Sequence, residues 1–132
     1  MDKRTNTTMA AKSKVITKTN GVSRNLDQHI IKTQNPKRVL FVVPDIVGDK
    51  GGATAPLPGV AYVAGYVRHI GHKVEAIDMR VDRGVENLFA KIKQFNPDMI
   101  GLSFMAMEFK PVYEFIAVLK KEFPNIKIVA GG

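Results

Sequence analysis

Four short runs of β-branched and aromatic residues, each separated from the next by a stretch of helical period, constrain this chain more than any other feature. Val39-Leu40-Phe41-Val42-Val43 is a continuous apolar run of the kind buried on both faces of a sheet, and Pro44 stops it. Residues 74–79, 99–105 and 126–130 read as three further strands. Between the first and second, Val60, Val63, Val67 and Ile70 recur at helical spacing and Gly71 closes the helix. Val85, Leu88, Phe89, Ile92 and Phe95 mark a second helix that Asn96-Pro97 ends. Pro111 opens a third, with Val112, Phe115, Ile116, Leu119 and Phe123 on its apolar stripe and Pro124-Asn125 at its end. Strands alternating with helices predict an α/β fold: a parallel sheet, right-handed crossovers and helices on both faces. The expected arrangement is flavodoxin-like (Rossmann-like), order 2-1-3-4-5, incomplete at the C-terminus because a fifth strand would follow Gly132. The fourth strand is then an apolar edge, and the chain reads as the front part of a longer protein.

Charge divides the chain in two. Residues 1–37 hold eight Lys and Arg against two Asp, and residues 38–132 hold twelve against ten acids. Residues 1–36, rich in Lys, Thr, Asn and Ser and poor in large apolar residues, read as a disordered basic leader. A mitochondrial presequence is the alternative, weakened by the excess of Lys over Arg and the lack of a long amphipathic stripe. Residues 37–132 form the domain. Its near-neutral charge removes the main reason to expect a nucleic-acid partner. No apolar run approaches the roughly 20 residues of a membrane span. The chain has no cysteine, which excludes disulfides, thiolate zinc sites and Cys-ligated clusters within it and is compatible with a cytoplasmic protein.

In an open parallel sheet, ligands bind beyond the carboxyl ends of the strands, where the strand order reverses. Three strand ends converge there. The first supplies residues 45–58 (DIVGDKGGATAPLP), a long Gly- and Pro-rich connection among short ones; the third supplies Ser103 to Glu108; the fourth supplies Gly131-Gly132. A Gly pair lets backbone approach a ligand with no Cβ in the way. Ser103 interrupts an apolar strand, so its hydroxyl either aims at the crevice or bonds a neighbouring carbonyl. Met105-Ala106-Met107 offers adaptable apolar surface, although core filling is the expected role of Met105. Asp45 and Asp49 share the first loop as solvated or turn-forming acids. No nucleophile–base pair, metal cluster or carboxylate dyad stands out, so no catalytic or metal-ligating residue is assigned.

The stretches APLPGVAYVAGYVRHIGHKVEAIDM and FNPDMIGLSFMAMEFKPVYEFIAVLKKEFPNIKIVAGG resemble the cobalamin (B12)-binding domain that precedes the radical S-adenosylmethionine domain in many enzymes. The resemblance covers residues 37–132. It rests on a Pro-rich approach to the first helix, a Gly-His-x-Val step into the second strand and Pro-Asp into the third, then Gly-Leu-Ser and a terminal Gly-Gly. It implies cobalamin as the cofactor, with its nucleotide arm in the crevice beside the sheet. Ser103, Gly131 and Gly132 would be its first contacts, then Leu102, Pro58 and Gly59. It implies as partner a downstream radical domain holding a 4Fe-4S cluster and S-adenosylmethionine beyond these residues. The parent would then be a methyltransferase or related enzyme, with no catalysis in this part alone. One departure matters. The mutases and methionine synthase carry Asp-x-His-x-x-Gly after the first strand, whereas Pro44-Asp45-Ile46-Val47-Gly48-Asp49 has no His. His29, His69 and His72 lie elsewhere, so no protein His on cobalt is expected.

Other ligands remain to be weighed. A response-regulator receiver needs an Asp ending the third strand, where Ser103-Phe104-Met105 stands. A dinucleotide fold needs Gly-x-Gly-x-x-Gly after the first strand, which Gly48, Gly51 and Gly52 do not form. A flavodoxin-like flavin or nucleotide site stays open as the alternative, with Gly51-Gly52-Ala53-Thr54 as its phosphate loop. A ligand-free interaction module is the third reading.

Overall fold

The computed structural model describes residues 31–45 and 57–132, with Met107 as backbone alone. Four parallel strands, β1 (Arg38–Val43), β2 (Lys73–Asp78), β3 (Met99–Ser103) and β4 (Lys127–Gly131), pair in the order β2-β1-β3-β4. This is the flavodoxin-like order, with its reversal between β1 and β3. Three helices connect them: α1 (Pro58–His69), α2 (Val85–Phe95) and α3 (Phe109–Glu122). Expectations for the 46–56 stretch and for His29 lie outside the described residues.

Each helix ends where its sequence demands. Pro58 opens α1 at the first turn, where its missing N–H costs nothing. The same helix closes in a Schellman motif: His72 N–H donates to Val67 O and Gly71 N–H to Arg68 O, with Gly71 at φ 108°. Asn96, left-handed at φ 49°, ends α2 just before Pro97. The third strand is shorter than its apolar run, stopping at Ser103, and α3 begins two residues before Pro111. The cause is Glu108: its carboxylate accepts the Met105 N–H at 2.8 Å and closes a single 3-10 turn over Ala106–Glu108. Met105 is left 64% exposed and fills no core.

Strand parity sorts the sheet into two unequal faces. Leu40 and Val42 of β1, Ile77 of β2 and Ile100 and Leu102 of β3 look one way. Leu88 and Ile92 of α2 and Val112 and Leu119 of α3 cover them and complete the core. Phe89 and Phe123 meet edge to face at 5.3 Å where the two helices join. The other face carries Phe41, Gly101, Ser103 and Val129, and α1 has no fully buried residue against it. Val63, on the apolar stripe of α1, is 52% exposed because nothing among the described residues covers the β3–β4 half of that face.

The amino ends of the strands are clamped by Asp98. Its Oδ2 accepts the Arg38 N–H at 2.7 Å, while its own N–H donates to Arg38 O and its carbonyl accepts from Lys127. The Arg38 backbone bond, followed by the charges of Arg38 and Lys37, holds this carboxyl below the usual aspartate range against the opposing effect of partial burial. A depressed folded-state value adds stability above the ordinary carboxylate range, and that stability is lost as pH falls through the folded value. The melting midpoint is therefore expected to drop on acidification below about pH 4. Asp98→Asn is expected to flatten part of that drop, as read by circular dichroism melts across pH. Nearby, Thr33 N–H donates to Ile70 O at 2.8 Å and Lys37 N–H to His72 Nδ1 at 3.0 Å, so the approach to β1 runs along the α1–β2 turn.

Candidate functional site

A slot of about 440 Å³ opens on the uncovered half of the sheet, beside the carboxyl ends of β1, β3 and β4. Phe41 and Gly101 form its floor, and Gly59, Val60 and Val63 of α1 form one wall. Ser103, Val129, Ala130, Gly131 and Gly132 form the other side and the rim. The volume falls in the range of about 300–1,000 Å³ typical of small-molecule sites.

Glycine shapes the slot in three different ways. At Gly59 and Gly131 an added Cβ would meet nothing within 4 Å, so the missing side chains are open space. At Gly101 a Cβ would stand 2.9 Å from Cδ1 of Phe41, so glycine lets that ring lie flat against β3. At Gly132 a Cβ would collide with the Phe104 carbonyl, so glycine permits the close crossing of two backbones. Phe104 N–H donates to Gly131 O at 3.1 Å and ties the two strand ends together.

Ser103 and Gly131 are direct partners in the β3–β4 register, which sets the hydroxyl next to the glycine at the mouth. That hydroxyl has no hydrogen-bond partner among the described residues. Leu102 borders the slot but is 3% exposed in the opposite core, so its contribution is backbone. Pro58 stands at the start of α1 and does not line the slot, whereas the adjoining Gly59 does. Thus Ser103, Leu102, Gly59, Gly131 and Gly132 come together and Pro58 stays outside. Phe41, Val60, Val63, Gly101 and Val129 were not singled out by their residue types. Their signal was parity with Ser103 along the strands, and helical spacing from Gly59.

Along the rim, Asp78 at the end of β2 accepts from Arg80 three times: from Nε at 2.9 Å, from Nη2 at 2.7 Å and from the backbone N–H at 3.0 Å. The side-chain bonds from Arg80 hold the Asp78 carboxyl below its usual range, with partial burial acting against them. Asp45 after β1 and Glu108 after β3 add to the negative field that keeps Arg80 charged. His69 and His72 lie at the other end, where α1 finishes and β2 begins. Among the described residues no three His, Asp or Glu gather as a metal site, and no helix is long and apolar enough to cross a membrane.

A doubly wound parallel sheet with an apolar slot at its point of strand reversal defines a small-molecule-binding α/β domain. The sequence model of the B12 binding domain matches residues 44–132, and the chain belongs to that family. Over 99 residues it is 32% identical to an uncharacterised methyltransferase of Pyrococcus horikoshii, a match covering 72% of this chain and 21% of that protein. Two structures of the cobalamin-dependent S-adenosylmethionine radical enzyme OxsB share the fold. One, with aqua-cobalamin bound, has a TM-score of 0.58 at 20% identity. The other, with aqua-cobalamin and S-adenosylmethionine bound, has a TM-score of 0.57 at 21% identity. Each match covers 72% of this chain and 13% of OxsB. The chain spans about a fifth of the length of its curated relative.

Proposed function

We propose that this domain holds cobalamin with its nucleotide arm in the slot between α1 and the β3–β4 half of the sheet, as the cofactor part of a cobalamin-dependent radical enzyme. The observation that carries the reading is the slot itself. It is apolar-walled, free of side chains at Gly59 and Gly131, and placed at the strand-order reversal. In this reading the flat base of that arm lies between Val60 and Val63 on one side and Val129 on the other, above the Phe41 ring. Family membership and the fold shared with OxsB support the same ligand.

The chain's own residues bind and orient. The Ser103 hydroxyl, with no partner among the described residues, is free to donate to the arm. Gly131 and Gly132 bring backbone to its surface, and the valines exclude water from it. Cobalamin would supply a cobalt centre for methyl transfer or related radical chemistry. A 4Fe-4S cluster and S-adenosylmethionine would belong to a partner domain outside residues 1–132, in a cytoplasmic enzyme. Neither His69 nor His72 would ligate cobalt: both are at the pole opposite the rim. Bound cob(II)alamin should then show no nitrogen splitting from the protein in its electron paramagnetic resonance spectrum.

The protein loaded with hydroxocobalamin is expected to keep corrin absorption bands through gel filtration. Ser103→Leu should weaken retention about tenfold or more by loss of the donor and intrusion at the mouth, with an unchanged melt. Retention of a flavin, with none of cobalamin, would replace this reading with the flavodoxin-like one.

A further inference from the structure

We infer that the amino end of the sheet, opposite the slot and independent of its occupant, is a docking surface for an acidic segment of a partner protein. Three of the four strands, β1, β2 and β4, open on a cation: Arg38, Lys73 and Lys127. Lys37 precedes the first of them. Arg38 and Lys73 are partners in the parallel register, on strands about 4.8 Å apart, so two like charges stand side by side. Such a pair repels and costs stability. The basic residues that end the helices have a structural reason: Lys93 of α2 and Lys120 and Lys121 of α3 complement the carbonyls of a last turn. The cations that open the strands serve no such end. Lys37, Lys73 and Lys127 are exposed and form no ion pair among the described residues. Asp45, Asp78 and Glu108 stand at the other end, so the near-neutral domain is polarised along its strands. Residues 1–37, with eight Lys and Arg against two Asp, join β1 at the basic end.

Two clefts of about 420 and 400 Å³ run along this end and share Lys37 and Asp98. Lys127 lines one, and Arg38 and Lys73 line the other. Asp98 is the one acid lining either cleft among the described residues, and its Oδ2 already accepts the Arg38 N–H. These clefts suit carboxylates on a peptide better than the phosphates of a nucleic acid. The backbone N–H groups that would clasp a phosphate are spent. Lys37 N–H donates to His72 Nδ1, Arg38 N–H to Asp98 Oδ2, and Lys73 N–H to Lys37 O. Asp98 N–H donates to Arg38 O, and Lys127 N–H to Asp98 O. No aromatic ring lines either cleft among the described residues, so bases would find no platform to stack on. What remains is a row of long basic side chains with Pro36 and Ile126 as apolar surface between them. An extended segment of Asp and Glu with a few apolar residues meets both. Docking there leaves the slot open at the opposite end.

The test is fluorescence anisotropy of a labelled Glu-rich peptide titrated with the full-length protein. A peptide with Gln for Glu and a single-stranded oligonucleotide of equal charge run beside it. The Glu-rich peptide is expected to bind and the Gln peptide is not. Binding should weaken tenfold or more between about 0.1 M and 1 M salt, as the screening length falls from about 10 Å to 3 Å. Lys37→Gln, Lys73→Gln and Lys127→Gln together should weaken it about tenfold, at roughly twofold for each exposed charge. The melting midpoint of that triple variant should stay where it was or rise slightly, since the repulsion between Arg38 and Lys73 is relieved. Unchanged affinity in the triple variant overturns the proposal, because the charge of residues 1–37 then accounts for the binding. Tighter binding of the oligonucleotide than of the Glu-rich peptide overturns it in favour of a nucleic-acid partner. Failure of the Glu-rich peptide to bind at the lower salt overturns it outright.

Discussion

Gly131→Leu is expected to abolish retention of the corrinoid while leaving the melting curve of the protein where it was. The two halves of that result come from the same geometry. Gly131 ends β4 in an extended conformation open to any residue, and a Cβ built there meets nothing within 4 Å. The fold therefore loses nothing when a side chain is added. The open space is the slot, and a branched side chain beside Ser103 stands where the arm must pass. Overlap of this kind costs about 1–3 kcal/mol or more, so affinity should fall by about tenfold to a hundredfold or beyond. Corrin absorption after gel filtration and a circular dichroism melt measure the two halves separately. Intact retention would show that the ligand lies elsewhere on the rim. The same change at Gly132 is no substitute, because its Cβ runs into the Phe104 carbonyl and the backbone itself must move.

The order of elements was legible because strand and helix periods are unambiguous here: Val39–Val43 and Ile100–Leu102 read as buried strands, and α2 came out at its observed bounds. The slot was legible only at its rim. Ser103 and the Gly pair are unusual residues in apolar strands, so they drew attention. Its walls are ordinary valines, and a valine at helical spacing looks the same whether it meets a core or an open cleft. Val63 shows the limit: periodicity says which way it points, and coverage of the opposing sheet decides whether it is buried. The end of β3 was hidden for a related reason. The apolar run continues through Phe104 and Met105, but a carboxylate three residues further on captures the Met105 N–H and turns the chain. Gly101 could be read as a weak point in a strand. In the fold it is the place where the Phe41 ring lies against β3, a contact that joins non-adjacent parts of the sequence.

The largest effect on stability is expected from Leu40→Ala. Leu40 lies in β1, an inner strand, is 0% exposed, and sits beside Ile100 in register beneath α2 and α3. Removing its isobutyl group loses the transfer free energy of the buried carbons and leaves a cavity. That cavity has little freedom to collapse, because β1 is held by ladders on both sides, to β2 and to β3. Such sites fall toward the upper part of the range of about 2–5 kcal/mol seen for buried leucines. Against a domain stability of about 5–15 kcal/mol, this should lower the melting midpoint by about 15–30 °C. Tyr62→Ala removes a larger side chain from α1, yet Tyr62 is 81% exposed. Its effect should stay within about 0.5 kcal/mol. Paired thermal melts decide the matter: comparable shifts for the two variants would mean that the α2–α3 face is not the main core, and that the sheet is held from its other side.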